Sequence, residues 1–175
     1  MAGISSVEHA GDHDFRGAPP FLSTHRALAV CGREFARLAD EIDARLTTLV
    51  QAGLDAKPQI RNSPGRCIVQ LGAVALTAAW VRNQVDSVED GRLLVIVWRG
   101  AVASRRAHDF ERRNIDTTRT ATALWESVLV ANASNETDWS WCPEKRGATG
   151  YSSSDLATRL VQRLHRAYAE HQRAS

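Results

Sequence analysis

RCIVQLGAVALTAAWVRNQVDSVEDGRLLVIVWRGAVAS, residues 66–104, is the stretch whose reading decides the fold. It holds the densest β-branched and aliphatic content of the chain, and one turn signal, DSVEDG at residues 86–91, interrupts it. A loop of that composition needs a strand on each side, with Gly91 as the residue free to take a positive φ. Downstream of it, residues 92–103 give the clearest strand in the protein, because LLVIVW is apolar and β-branched at successive positions. Apolar side chains on both of its faces predict a central strand covered on both sides. Upstream, residues 66–71 alternate: Cys67, Val69 and Leu71 point one way, Ile68 and Gln70 the other. Gly72 and Ala73 make a tight turn into a second strand at residues 74–84, where Val74, Leu76, Ala78 and Trp80 share a face. The alanines of this segment also suit a helix. The hairpin loop that follows decides for a strand.

Working outward, residues 24–52 predict an amphipathic helix. Leu28, Cys31, Phe35, Leu38, Ile42 and Leu49 recur at spacings of three, four and seven. Ser23 or Thr24 caps its start, and Gly53 ends it as a left-handed residue. The heptad-like spacing would also serve a self-associating helix, but a helix laid across a sheet is the simpler reading. Residues 53–65 contain Gly53, Pro58, Asn62, Pro64 and Gly65 and read as a connection. On the other side, residues 121–131 read as a fourth strand, with a short helix as the alternative. A fifth is expected at residues 137–142, stopped by Pro143, with Trp139 and Trp141 on one face. Ser152 and Asp155 have capping-box spacing, and Tyr151 and Leu156 occupy the staple positions around them. The final helix carries Leu156, Leu160, Val161, Leu164 and Tyr168 on one side. Arg159, Arg163, Arg166 and Arg173 fall on the other.

These elements predict an α+β fold of two layers: a long N-terminal helix, an antiparallel sheet of four to five strands and a C-terminal helix. One domain is expected over residues 23–175, preceded by a disordered tail over residues 1–22, which is rich in Gly, Ser, His and Asp. At 43% apolar and 24% charged the composition is that of a globular domain, and a net charge of +2 does not by itself call for a polyanionic partner. The basic residues are nearly all arginine, since Lys57 and Lys145 are the only lysines. Arginine suits the recognition of carboxylates and phosphates. The bias, with abundant alanine, equally fits a GC-rich bacterial genome. Three cysteines without a C-x-x-C pair argue against a disulfide framework and fit a reducing cytoplasm. Residues 1–16 have no apolar signal core, and the apolar run at residues 71–81 is too short to span a bilayer, so a cytoplasmic protein with no membrane contact is expected.

No glycine-rich phosphate loop, nucleophile elbow or zinc-ligand spacing is present in the sequence. His108, Asp109 and Glu111 could form a general-base cluster with His165 or Cys142, but a solvated, charge-balanced loop explains them more simply. Cys142, before Pro143, would be a nucleophile only if an arginine lowered its pKa, and an inert thiol is the simpler account. His9, Asp12, His13 and Asp14 lie in a tail without preformed geometry, so neither metal nor cofactor is expected. Residues 99–119 stand apart. Six arginines (Arg99, Arg105, Arg106, Arg112, Arg113 and Arg119) face three acids, a local charge of +3, in a segment long enough to be a binding loop. The expected function is that of a non-enzymatic accessory or adaptor subunit, binding a protein partner or another copy of itself through its helices and this loop. The competing reading is a nucleic-acid-binding module. It would use the same loop, the stripe of Arg159, Arg163 and Arg166, and Trp139 and Trp141 for base stacking.

Overall fold

The computed structural model describes residues 20–82, 86–102, 121–144 and 149–174. In chain order the elements are α1 (His25–Gln51), β1 (Gln59–Ser63), β2 (Arg66–Leu71), β3 (Val74–Val81), β4 (Arg92–Arg99), β5 (Thr122–Asn132), β6 (Ser140–Pro143) and α2 (Ser153–Ala174). The strands form one antiparallel sheet whose spatial order equals the chain order. Both helices lie on one of its faces. The fold is therefore the expected α+β, with six strands in place of four to five. The additional strand is β1, in a segment that reads as a connection. Its sequence QIRNS is exposed at four of five positions, so it lacks the apolar alternation that marks a strand. Pairing with β2 across a turn at Gly65 (φ 71°) makes it one.

The core lies between the helices and the sheet. Cys67, Ala78 and Val95 are aligned across β2, β3 and β4, as are Val69, Leu76 and Val97, and all six are buried. Against them α1 sets Ala27, Val30, Phe35, Leu38, Ile42 and Leu46, and α2 sets Leu156, Leu160, Leu164 and Tyr168. Burial of apolar surface on this scale is the main stabilising term of such a domain. Leu28 and Leu49, expected within the helical stripe, pack at its margin and remain partly exposed. Phe21 and Leu22, expected in the tail, instead sit in a 3-10 turn and pack on the core. The Leu22 carbonyl accepts the Val88 N–H at 3.1 Å, tying this turn to the loop before β4. The rest of the tail lies outside the described residues.

The expected caps are built. The Thr24 hydroxyl accepts the Ala27 N–H at 3.3 Å. At the other end the Leu54 N–H reaches the Leu49 carbonyl, and Gly53, at φ 97°, donates to Val50, the double bond of a Schellman motif. The Ser152 hydroxyl accepts the Asp155 N–H at 3.1 Å and donates to its carboxylate at 2.7 Å. Between the helices, Arg45 donates to Thr158 Oγ1 and Ser154 Oγ, each at 2.8 Å, while also paired with Glu41.

One expectation about the central hairpin needs correction. Gly91 does not take a positive φ; among the described residues those glycines are Gly53, Gly65, Gly72 and Gly100. Gly91 is needed because the Trp80 indole lies against it, so that a Cβ there would stand 2.1 Å from Trp80 Cζ2. β4 is central, and its two faces differ in how far they are closed among the described residues. Leu93, Val95 and Val97 are sealed under the helices, while Leu94, Ile96 and Trp98 on the opposite face stay partly exposed.

A candidate anion-binding cleft between the last helix and β5

The inner face of β5 extends beyond the cover of the helices. A register shift between Val97 and Trp98 of β4 sets Val97 opposite Trp125 but Trp98 opposite Ala123, so Leu124 is the extra residue of a bulge. Trp125 therefore lies on the helix side, at the foot of α2. Arg159, Arg163 and Arg166 follow one another at i, i+4 and i+7, along one edge of α2 spanning about 10 Å. That edge leans over β5. The Arg163 guanidinium stacks 4.9 Å from the centre of the Trp125 ring, and that of Arg159 lies 4.5 Å from the Tyr151 ring. Both distances are those of a cation–π contact, which fixes the arm of each arginine while leaving its N–H groups open to an acceptor.

Two adjoining hollows follow this edge. One, of about 310 Å³, is lined by Trp125, Tyr151, Arg159, Arg163 and Arg166 over an apolar floor of Leu129, Leu156 and Leu160. The next, of about 510 Å³, is lined by Arg99, Trp125, Arg163, Arg166, Glu170 and His171. The two share Trp125, Arg163 and Arg166, so they form one strip. Four guanidiniums border it, and Glu170 is the one carboxylate among its lining residues. None of the four arginines has an ion pair among the described residues. Unpaired, planar, permanently charged donors around a half-apolar floor suit a ligand that carries carboxylates or phosphates.

Of the residues singled out in the sequence, Arg99, Arg159, Arg163 and Arg166 thus come together, although Arg99 is separated from the others by 60 or more positions. Arg105, Arg106, Arg112, Arg113 and Arg119 lie outside the described residues, as do His108, Asp109 and Glu111, and His9, Asp12, His13 and Asp14. Trp139 and Trp141 are core residues, 8% and 0% exposed. Their rings meet edge-on with centroids 5.4 Å apart, and Trp141 makes a second such contact with Trp80 at 5.5 Å. Neither indole offers a free face for a base to stack on. Trp141 lies on β6 and Trp139 just before it, and both pack into the core, where the Trp141 Nε1–H donates to the buried Ser153 hydroxyl at 3.0 Å. Sequence reasoning missed Tyr151, which reads there only as a staple residue of the α2 cap. Trp125 is among the tryptophans, with Trp80 and Trp98, that the sequence offers as lining for a small-ligand pocket between helix and sheet.

Two of the three thiols are sealed in the core. Cys31 and Cys67 are buried, and burial pushes them up from 9.0 to about 12 and about 11 respectively. Cys142 is partly exposed, with Ser140 Oγ 3.7 Å from its sulfur. No group of three or more potential metal ligands occurs among the described residues. No helix among them is long and apolar enough to cross a membrane. No protein-family model, curated protein or solved structure matches this chain.

Proposed function

We propose that this protein is a non-enzymatic accessory subunit whose cleft between α2 and β5 takes an acidic segment of a protein partner. The observation that supports this most is the convergence of Arg99, Arg159, Arg163 and Arg166, all without ion pairs among the described residues, on one strip floored by leucines and Trp125. Carboxylates would meet the guanidiniums, and apolar side chains of the same segment would meet the floor. Such mixed chemistry favours a peptide over a bare phosphate chain. Five further arginines, between residues 105 and 119, follow Arg99 in sequence. Nucleic-acid binding would draw on the same guanidiniums. The burial of Trp139 and Trp141 takes away the stacking platform that would have favoured it.

The test uses fluorescence anisotropy with two labelled probes, a fifteen-residue Glu/Leu peptide and a single-stranded oligonucleotide of similar charge. The peptide should bind more tightly than the oligonucleotide. An Arg159→Gln/Arg163→Gln/Arg166→Gln variant should weaken it by about 3- to 160-fold, from roughly 0.2–1 kcal/mol for each exposed charge pair. Equal peptide affinity for the variant and the parent would refute the cleft. Tighter binding of the oligonucleotide, with a steep salt dependence, would replace the proposal by the nucleic-acid reading.

A further inference from the structure

The sheet face opposite the helices has no element of secondary structure packed on it among the described residues, yet it is not a polar face. Ile68, Ala79, Leu94, Ile96 and Val128 are all on it and partly exposed, and Val81 at its end is 45% exposed. Toward the other end of the same face Gln70, Ala75 and Thr77 are buried, with the Trp98 indole N–H donating to Thr77 and the Val102 N–H to Gln70. An antiparallel sheet with one solvated face normally carries polar residues there, and a contiguous apolar patch of this kind marks an interaction site. The patch spans β2 to β5, about 20 Å across by about 15 Å along the strands from standard strand spacings. Two such faces together would bury roughly 600 Å², the size of a weak, reversible contact rather than a permanent one.

The charges at the two ends of the central row of this face point to the partner, while Arg66, exposed in the adjoining row, is left unmatched. The central row of the face runs Arg61, Ile68, Thr77, Ile96, Glu126 across β1 to β5, each residue directly opposite the next. It is apolar or neutral in the middle, positive at one end and negative at the other. Arg61 and Glu126 are exposed and make no ion pair among the described residues. A two-fold axis running along β3 in the plane of the face turns this row onto itself. Thr77 then lies on the axis, Ile68 meets Ile96 of the second copy, and Arg61 meets Glu126 at both ends. The pattern is self-complementary, as an isologous interface requires. Two faces packed this way make a β-sandwich with strands aligned to within about 30°, as twisted sheets prefer. We infer that this protein forms a homodimer through the helix-free face of its sheet, with Arg61 of each copy paired to Glu126 of the other. The helix side, with the arginine cleft, is left open on both outer surfaces of the dimer.

The experiment is sedimentation equilibrium on the full chain over a hundredfold range of concentration. The parent should rise from 19.2 kDa toward twice that mass. Arg61→Glu and Glu126→Arg should each weaken dimerisation by about tenfold or more, because each places like charges at both ends of the row. The double swap should restore it to within a few-fold of the parent. Both side chains are exposed, so an unchanged circular-dichroism spectrum of each variant will show that the fold is kept. A monomer at every concentration would overturn the inference, as would a dimer indifferent to both reversals. A parent monomer that dimerises once residues 104–119 are deleted would assign the face to that segment instead, and would equally overturn it.

Discussion

Replacing Gly91 by alanine is the smallest change that tests how the central hairpin is held. A Cβ built on Gly91 would stand 2.1, 2.5 and 2.9 Å from Cζ2, Cη2 and Cε2 of Trp80. Ordinary carbon contacts begin near 3.5 Å, so the indole must retreat by about 1.4 Å. It has little room to do so. Its ring is set edge-on against Trp141, which is fully buried, and its backbone N–H is tied to the Gly65 carbonyl at 2.7 Å. Overpacking of this kind costs about 1–3 kcal/mol. Because Gly91 does not use a positive φ, alanine adds no backbone strain there, and the reduced freedom of the unfolded chain returns about 0.4–1 kcal/mol. The net loss is about 1–2 kcal/mol, or about 2–8 °C in Tm for a domain of this size. Gly32 is the control. It lies in the middle of α1 with nothing within 4 Å of its added Cβ, so the same substitution should gain about 0.5–1 kcal/mol. Thermal unfolding followed by circular dichroism reads both. If Gly91→Ala unfolds at or above the parent Tm while Gly32→Ala is stabilised, the packing argument fails. A Trp80→Leu background should erase most of the Gly91→Ala penalty.

Other consequences follow from the core. Ser153→Ala should lower the urea midpoint by the equivalent of about 1–3 kcal/mol. It strands the buried Trp141 Nε1–H and removes the bond from Ser153 to Glu34, at 2.7 Å, that joins α2 to α1. A variant as stable as the parent would show that this hydroxyl is dispensable. In the native protein a disulfide reagent at pH 8 should titrate one thiol, Cys142, while Cys31 and Cys67 react only on unfolding. Three thiols reacting at one rate would contradict their burial. The raised pKa values of these two also fix a sign. The folded state holds their protons more tightly, so their stabilising contribution is complete below about pH 9 and is lost as pH rises toward 11–12. The slope is about 1.4 kcal/mol per pH unit for each thiol. A Cys31→Ser/Cys67→Ser variant should show a flatter denaturation profile between pH 9 and 11, and an unchanged profile would remove the thiols from the alkaline limit.

Much of the architecture was legible in the chain because it rests on local signals. The six-residue run LLVIVW, the 3.6-residue stripe of α1, the Gly53 stop and the Ser152–Asp155 cap each specify one element without reference to any other. The strand β1 was not legible. QIRNS is a strand only because β2 runs beside it, which is a tertiary fact. Gly91 was legible as a glycine position but for the wrong cause, since the requirement comes from Trp80, eleven residues away. The two faces of β4 differ in burial, which its uniformly apolar sequence does not report, because sequence carries hydrophobicity and not what lies against it. For the site, the arginine stripe of α2 was visible from its period. Its meeting with Arg99, Trp125 and Tyr151 was not, because it depends on the bulge at Leu124 and on where α2 crosses the sheet. Trp139 and Trp141 show the converse. Two tryptophans alternating on a strand look the same whether they serve a core or a ligand, and only the packing of α2 onto β6 decides.

The most direct test of the cleft is the indole N–H spectrum of the five tryptophans during titration with the Glu/Leu peptide. Trp125 lies under Arg163 on the floor of the cleft, Trp98 looks out from the opposite face of the sheet, and Trp141 is sealed in the core. Each signal is assigned by single Trp→Phe replacement. The account predicts that the Trp125 resonance shifts in proportion to bound peptide while those of Trp98 and Trp141 hold still. A stationary Trp125 signal at saturating peptide, or a shift confined to Trp98, would contradict it.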